Sequence, residues 1–186
     1  TRLLQEEVAI LEGNGEMDVM SIRLPYIFGT MPGRLPLWTM FLPQIQGKEF
    51  VPVLAGGTAM VTVQQVAEAT IGALEFGKHG EKYAIADTNM KHQEFFQIIA
   101  ELLGQKDTII QVAPLEQMKK ALAEHDKEVA AAGKEHGIHL AMTAEIQNRD
   151  AFIDPNDTMP ILKYKKDDVR AAIKETIELC IEAAGK

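Results

Sequence analysis

Apolar positions recur at helical intervals from the start of the chain: Leu3, Leu4, Val8 and Leu11 fall on one side, and Gln5, Glu6, Glu7 and Glu12 on the other. This predicts a helix that stops at Gly13-Asn14-Gly15. The run Val19 to Leu24 is apolar, too short for a helix, and ended by Pro25, which predicts a strand. A helix followed by such a strand points to the α/β class. From Pro25 to Gly57 prolines and glycines recur too often for one long helix. Within that stretch, Leu37 to Ile45 reads as a short helix presenting Trp38, Phe41 and Leu42, and Glu49 to Leu54 as a short strand.

Regularity increases afterwards. Val63, Val66, Ala67, Thr70, Ile71 and Leu74 lie at helical spacing, predicting a helix from Val63 to Phe76 that ends near Gly77. Lys82 to Ala86 follows as a strand, and Phe95, Ile98, Ile99, Leu102 and Leu103 mark a helix closed by Gly104. Pro114 opens an amphipathic helix carrying Leu115, Met118, Leu122, His125, Val129 and Ala132. A last helix, from about Asp167 to Ala184, places Val169, Ile173, Ile177 and Ile181 on its buried side, with Asp167 or Asp168 at the end where negative charge is favourable. No internal repeat interrupts this order.

Composition narrows the function classes. The 186 residues suffice for one core, and 27 acidic against 19 basic side chains leave a charge of −8. Such a balance argues against nucleic acid or an anionic membrane as partner. The single cysteine, Cys180, cannot form an internal disulfide, and no basic-then-apolar leader precedes the first helix, so a reducing, cytoplasmic setting is expected. The sequence opens on Thr1 rather than Met, which suggests a piece of something longer.

The chemistry expected of an enzyme is sparse. No glycine-rich turn has the spacing that lets backbone amides approach a pyrophosphate. No Tyr-x-x-x-Lys pair occurs: Tyr26 is followed by Thr30, Tyr83 by Asp87 and Tyr164 by Asp168. Ser21 lies in a predicted strand, and Cys180 on the inner side of a helix reads as packing rather than as a nucleophile. His136-Gly137-Ile138-His139, with His125 and Glu145 near in sequence, lacks a zinc-helix pattern and reads as a solvated turn. No catalytic residue and no metal ligand is therefore assigned.

Several segments carry a resemblance. Ser21-Ile22-Arg23-Leu24-Pro25-Tyr26-Ile27-Phe28-Gly29-Thr30 resembles the end of the sixth sheet strand in the extended short-chain dehydrogenase/reductases, the NAD-dependent epimerase/dehydratase family. Met60-Val61-Thr62-Val63-Gln64-Gln65-Val66-Ala67, Gly80-Glu81-Lys82-Tyr83-Ala84-Ile85, Leu102-Leu103-Gly104 and Asp168 to Ile177 are similar to later motifs of that family, in the same order. The resemblance covers residues 3 to 180 and implies a C-terminal portion of a Rossmann-like doubly wound sheet plus a mostly helical substrate-binding region.

On that reading, residues 1–30 are the last helix and strand of the core, 31–62 a proline- and glycine-rich substrate-binding segment, 63–113 a helix–strand–helix return to the core, and 114–186 a helical substrate-binding region. The resemblance implies that Pro25, Tyr26 and Ile27 pack on the nicotinamide ring, and that Arg34, Trp38 and Thr62 contact substrate. Thr62 stands where the family usually has His, and Gln64-Gln65 where it has an Asp pair, which bears on whether the usual nucleotide-sugar substrates are used. The implied function is the substrate-binding half of an NAD(P)-dependent oxidoreductase or epimerase, inactive as this chain alone. NAD or NADP would bind the full-length parent and none this chain alone. The expected partners are a small-molecule substrate, the missing N-terminal half and, in a homodimer, a second copy. The alternative is a non-catalytic, dinucleotide-sensing or partner-binding regulator on the same scaffold.

Overall fold

The computed structural model describes residues 2–13, 15–133 and 139–185. In chain order the elements begin with α1 (Arg2–Glu12), β1 (Ser21–Arg23), β2 (Tyr26–Phe28), a 3₁₀ turn (Leu37–Phe41) running into α2 (Leu42–Ile45), β3 (Phe50–Val53) and β4 (Gly57–Thr62). Then come α3 (Val63–Phe76), β5 (Lys82–Ala84), β6 (Thr88–Lys91), α4 (His92–Leu102), β7 (Ile109–Val112), α5 (Leu115–Ala131) and α6 (Leu140–Gln147). The series closes with β8 (Asp150–Ala151), α7 (Met159–Leu162) and α8 (Val169–Ala184). The α/β class expected from the helix–strand alternation is the one observed. The chain forms two compact units: residues 1–30, 59–89 and 153–173 make the first, and 31–58, 90–152 and 174–186 the second.

In the first unit β1 runs parallel to β5, with Ser21 opposite Lys82 and Arg23 opposite Ala84. The chain then changes partner at Leu24-Pro25, and β2 runs parallel to β4, with Tyr26 opposite Met60 and Phe28 opposite Thr62. Pro25 has no N–H to give to a ladder, so the strand stops before it as expected, and a second strand, in another sheet, begins directly after it. Val61, Ala69, Ala73, Tyr83, Ile85, Leu162 and Tyr164 form the buried core. The Tyr164 hydroxyl satisfies itself by donating to the Ala86 carbonyl at 2.9 Å.

Helix α3 has the predicted bounds, but its buried face is not the one the large apolar side chains mark. Gln65, Ala69, Gly72 and Ala73 face inward, while Val63, Ile71 and Leu74 are exposed, Leu74 by 80%. Small residues win because the Leu162 backbone comes very close: a Cβ on Gly72 would lie 1.7 Å from the Leu162 carbonyl oxygen. Helix α1 likewise forms as predicted with no buried residue. Its Glu6 accepts from the Arg23 guanidinium at 2.7 Å and 3.1 Å, tying the helix to β1.

In the second unit β3 and β7 are parallel, Phe50 opposite Ile109 and Val53 opposite Val112. Leu42 and Ile45 are buried, and Trp38, Phe41, Phe95 and Phe96 form an aromatic cluster with centroids 5.4–6.1 Å apart. The Asp126 carboxylate on α5 accepts from the Leu140 and Ala141 amides, both at 3.1 Å, and so caps α6 from a neighbouring helix. Cys180 is fully buried and burial pushes its thiol upward, in keeping with packing. Of the histidine pair read as a solvated turn, His136 lies outside the described residues, and His139 is exposed and precedes α6.

Candidate functional site

Parallel strands end together, and in open α/β sheets ligands bind beyond their carboxyl ends. In the first unit, β1 ends at Arg23 opposite Ala84, and Pro25, Tyr26 and Ile27 follow that end; Thr62 lies at the carboxyl end of the next pair, where β2 ends at its register partner Phe28. Pro25, Tyr26 and Ile27 are half-buried. Burial raises the Tyr26 phenol above its ordinary value, so it stays protonated at neutral pH. Gly29, at φ +144°, lies where a Cβ would meet Val63 Cγ2 at 2.4 Å. The close approach that this glycine permits is therefore taken by Val63, and it forms no phosphate cradle.

Thr62 is engaged on every side. Its hydroxyl donates to Asp167 Oδ2 at 2.6 Å and accepts from the Gln65 amide at 3.2 Å. The Gln65 side-chain oxygen accepts from the Thr62 amide at 3.0 Å, which completes a capping box at the start of α3. Gln65 Nε2 donates to Asp87 and, at 2.8 Å, to the Lys165 carbonyl. Asp87 Oδ2 also accepts from the Asp167 amide at 2.9 Å. The Gln64 side chain and the Lys165 amide donate to Glu68 and hold its carboxyl below the usual range, against desolvation and the like charge of Asp167. Asp168, not Asp167, caps α8 by accepting from the Ala171 amide at 2.9 Å.

This network ties the end of β4, the loop after β5 and the entry to α8 into one polar clasp. Local sequence signals Thr62 and Gln65 as a capping box, but their acidic partners lie 22 and 105 positions away and carry no local signature. Among the described residues no group of three His, Cys, Asp or Glu is arranged to hold a metal.

Arg34 and Trp38 belong to the second unit. Met31-Pro32-Gly33-Arg34 is a tight turn closed by the Arg34 amide on the Met31 carbonyl at 3.2 Å, with Gly33 at φ +75°. Arg34 is exposed at its tip. Trp38 is half-buried, stacked on Phe41 at 5.7 Å and edge-on to Phe95 at 5.8 Å.

No known protein-family profile matches the chain. No curated protein matches it in sequence either. Solved structures do match. UDP-glucose 4-epimerase from Thermotoga maritima, solved with UDP-glucose, superposes with TM-score 0.62 at 15% identity, over 98% of this chain and 52% of that one. DesIV, a dTDP-glucose 4,6-dehydratase from Streptomyces venezuelae solved with NAD, gives 0.60 at 17% identity, over 97% and 49%. RMD from Pseudomonas aeruginosa, complexed with NADPH, gives 0.59 at 15%, over 97% and 52%.

The fold is Rossmann-like. The chain spans about half the length of the solved structures it matches. The sequence has no glycine-rich turn with the spacing a pyrophosphate needs, so the residues present do not fit the phosphates of a dinucleotide. No described helix is long and apolar enough to cross a membrane.

Proposed function

We propose that this chain is the substrate-binding half of a cytoplasmic NAD(P)-dependent oxidoreductase or epimerase of the extended short-chain type, carrying the last strands of its Rossmann-like core. One observation supports the reading most: Pro25, Tyr26 and Ile27 follow directly on the carboxyl end of β1, in the parallel β1–β5 pair that closes with Arg23 opposite Ala84, and this fold class binds ligands beyond such ends. When bound, the nicotinamide supplies a hydride acceptor or donor. Ile27 and the Tyr26 ring give it an apolar wall, and Tyr26, held protonated, orients rather than takes a proton. Thr62, its hydroxyl committed to Asp167 and Gln65, contributes by holding the end of β4 where substrate passes. Arg34 suits the oxyanion of a small-molecule substrate.

The groups that transfer the proton and cradle the phosphates belong to an N-terminal half, which is this chain's first partner; a second copy is another. Calorimetry is the test. The 186-residue chain should show no micromolar binding of NAD(H) or NADP(H), and an N-terminal half carrying a glycine-rich turn and Tyr-x-x-x-Lys should restore binding when mixed with it. Micromolar binding by this chain alone would overturn the assignment of the phosphate site to the other half.

A further inference from the structure

We propose that the segment from Met31 to Met40 in the second unit receives a small amphiphilic anion: an apolar body bearing one carboxylate or phosphate. The inference rests on the substrate-binding reading above and names the ligand class for it. In a 3₁₀ turn side chains three apart eclipse, so Leu37–Phe41 presents two ridges. Trp38 and Phe41 form the inner ridge and stack on each other. Leu37 and Met40 form the outer one, 85% and 61% exposed, and Met31 and Leu35 beside the turn are exposed as well.

Four exposed large apolar side chains thus share a ten-residue stretch with one charge. Arg34 is the only ionisable residue from Met31 to Gly47, in a chain whose net charge is −8. Among the described residues no carboxylate pairs with it. An exposed guanidinium carried on a tight turn, with exposed apolar side chains near it in the chain, complements an oxyanion attached to an apolar body. It complements a nucleotide poorly, because Trp38, the aromatic ring best suited to stack a base, has one face on Phe41 and its side against Phe95. An anionic membrane would meet the repulsion of the whole acidic chain.

Trp38 is the sole tryptophan and sits on the inner ridge of the same turn, so its fluorescence reports the site. Decanoate and decyl phosphate, titrated below their micelle concentrations into the full chain, should each give a saturable change. The better of the two identifies the head group. Decanol should bind about tenfold more weakly, as expected for loss of a charge-assisted pair. Arg34→Gln should bring decanoate down to the level of decanol, and the double variant Leu37→Ser/Met40→Ser should abolish both responses. All three positions are exposed, and circular dichroism verifies that the variants fold.

No saturable response to either anion, or an unchanged response in the double variant, overturns the inference. A saturable, Arg34-dependent response to UDP-glucose without one to the amphiphiles would overturn it while leaving the substrate-binding reading intact. Failure of all probes removes both. A response only to an acidic protein partner would replace the ligand with a docking role, and overturns it too.

Discussion

Replacing Gly72 by alanine should destabilise the first unit, although alanine is the better helix former. In an exposed helix interior the exchange stabilises by about 1 kcal/mol. Here the added Cβ would stand 1.7 Å from the Leu162 carbonyl oxygen and 2.6 Å from its carbon, whereas real Cβ contacts are essentially never under 3.0 Å. The carbonyl belongs to α7, which cannot retreat freely. The Leu162 amide is bonded to Thr158 at 2.9 Å and Lys163 to Met159 at 2.8 Å, and the Leu162 side chain is fully buried. Overpacking against such a neighbour costs about 3 kcal/mol, the upper end of the usual range. Set against the propensity gain, the net loss is about 2 kcal/mol. For a chain of this size that lowers Tm by roughly 4–8 °C. Thermal melts followed by circular dichroism measure it, with Leu74→Ala on the exposed face of the same helix as a control expected to stay within about 0.5 kcal/mol of the parent. A Gly72→Ala protein that melts at or above the parent temperature would refute the close α3–α7 packing.

Two further outcomes follow from polar contacts in the same unit. Arg23, then Ser21 and Lys82, lower the Glu6 carboxyl from 4.5 to about 2, so the link between α1 and β1 contributes fully above pH 4.5 and is lost as pH falls through about 2; an NMR titration of the Glu6 carboxyl with its midpoint at the ordinary value would contradict the pairing, and Glu6→Gln should remove that part of the acid dependence. Thr62→Val deletes both the helix cap and the Asp167 bond and should cost about 2 kcal/mol in urea unfolding, whereas Thr62→Ser should keep most of the stability; equal midpoints for the two variants would show that the hydroxyl is idle.

Periodicity located the helices well and their buried faces less well. The bounds of α3 follow from the spacing of its apolar residues and from Gly77. Its buried face could not be read, because hydrophobicity scales favour Ile71 and Leu74 while the neighbouring Leu162 backbone admits only Gly72 and alanines. The strands β4, β6 and β7 passed unread for another reason. Gly57 and Asn89 are poor strand formers that mask the runs they sit in, and Ile109–Val112 is a four-residue run without alternation. At the candidate site, the motif around Pro25 was legible as a strand ending, but the switch of sheet depends on a partner strand more than thirty residues on. The Asp87–Asp167 clasp was invisible for the same reason: sequence shows a carboxylate but not the distant group that donates to it.

The division into two units also constrains how the protein is made. The chain passes from one unit to the other after Thr30, Thr58, Asn89, Phe152 and Ile173. During synthesis the first unit therefore waits for Leu162 and Tyr164 to leave the ribosome before its core can close. The second waits longer, for the stretch beyond Ile173 that contains Ile177 and Cys180. Neither unit is a contiguous stretch that can mature while the rest is still being translated, the usual domain-by-domain route. Premature termination just before the final helix thus yields a chain that holds all its strands yet lacks Val169, Ile173, Ile177 and Cys180 of the core, a substrate for chaperones and proteases rather than a smaller folded product.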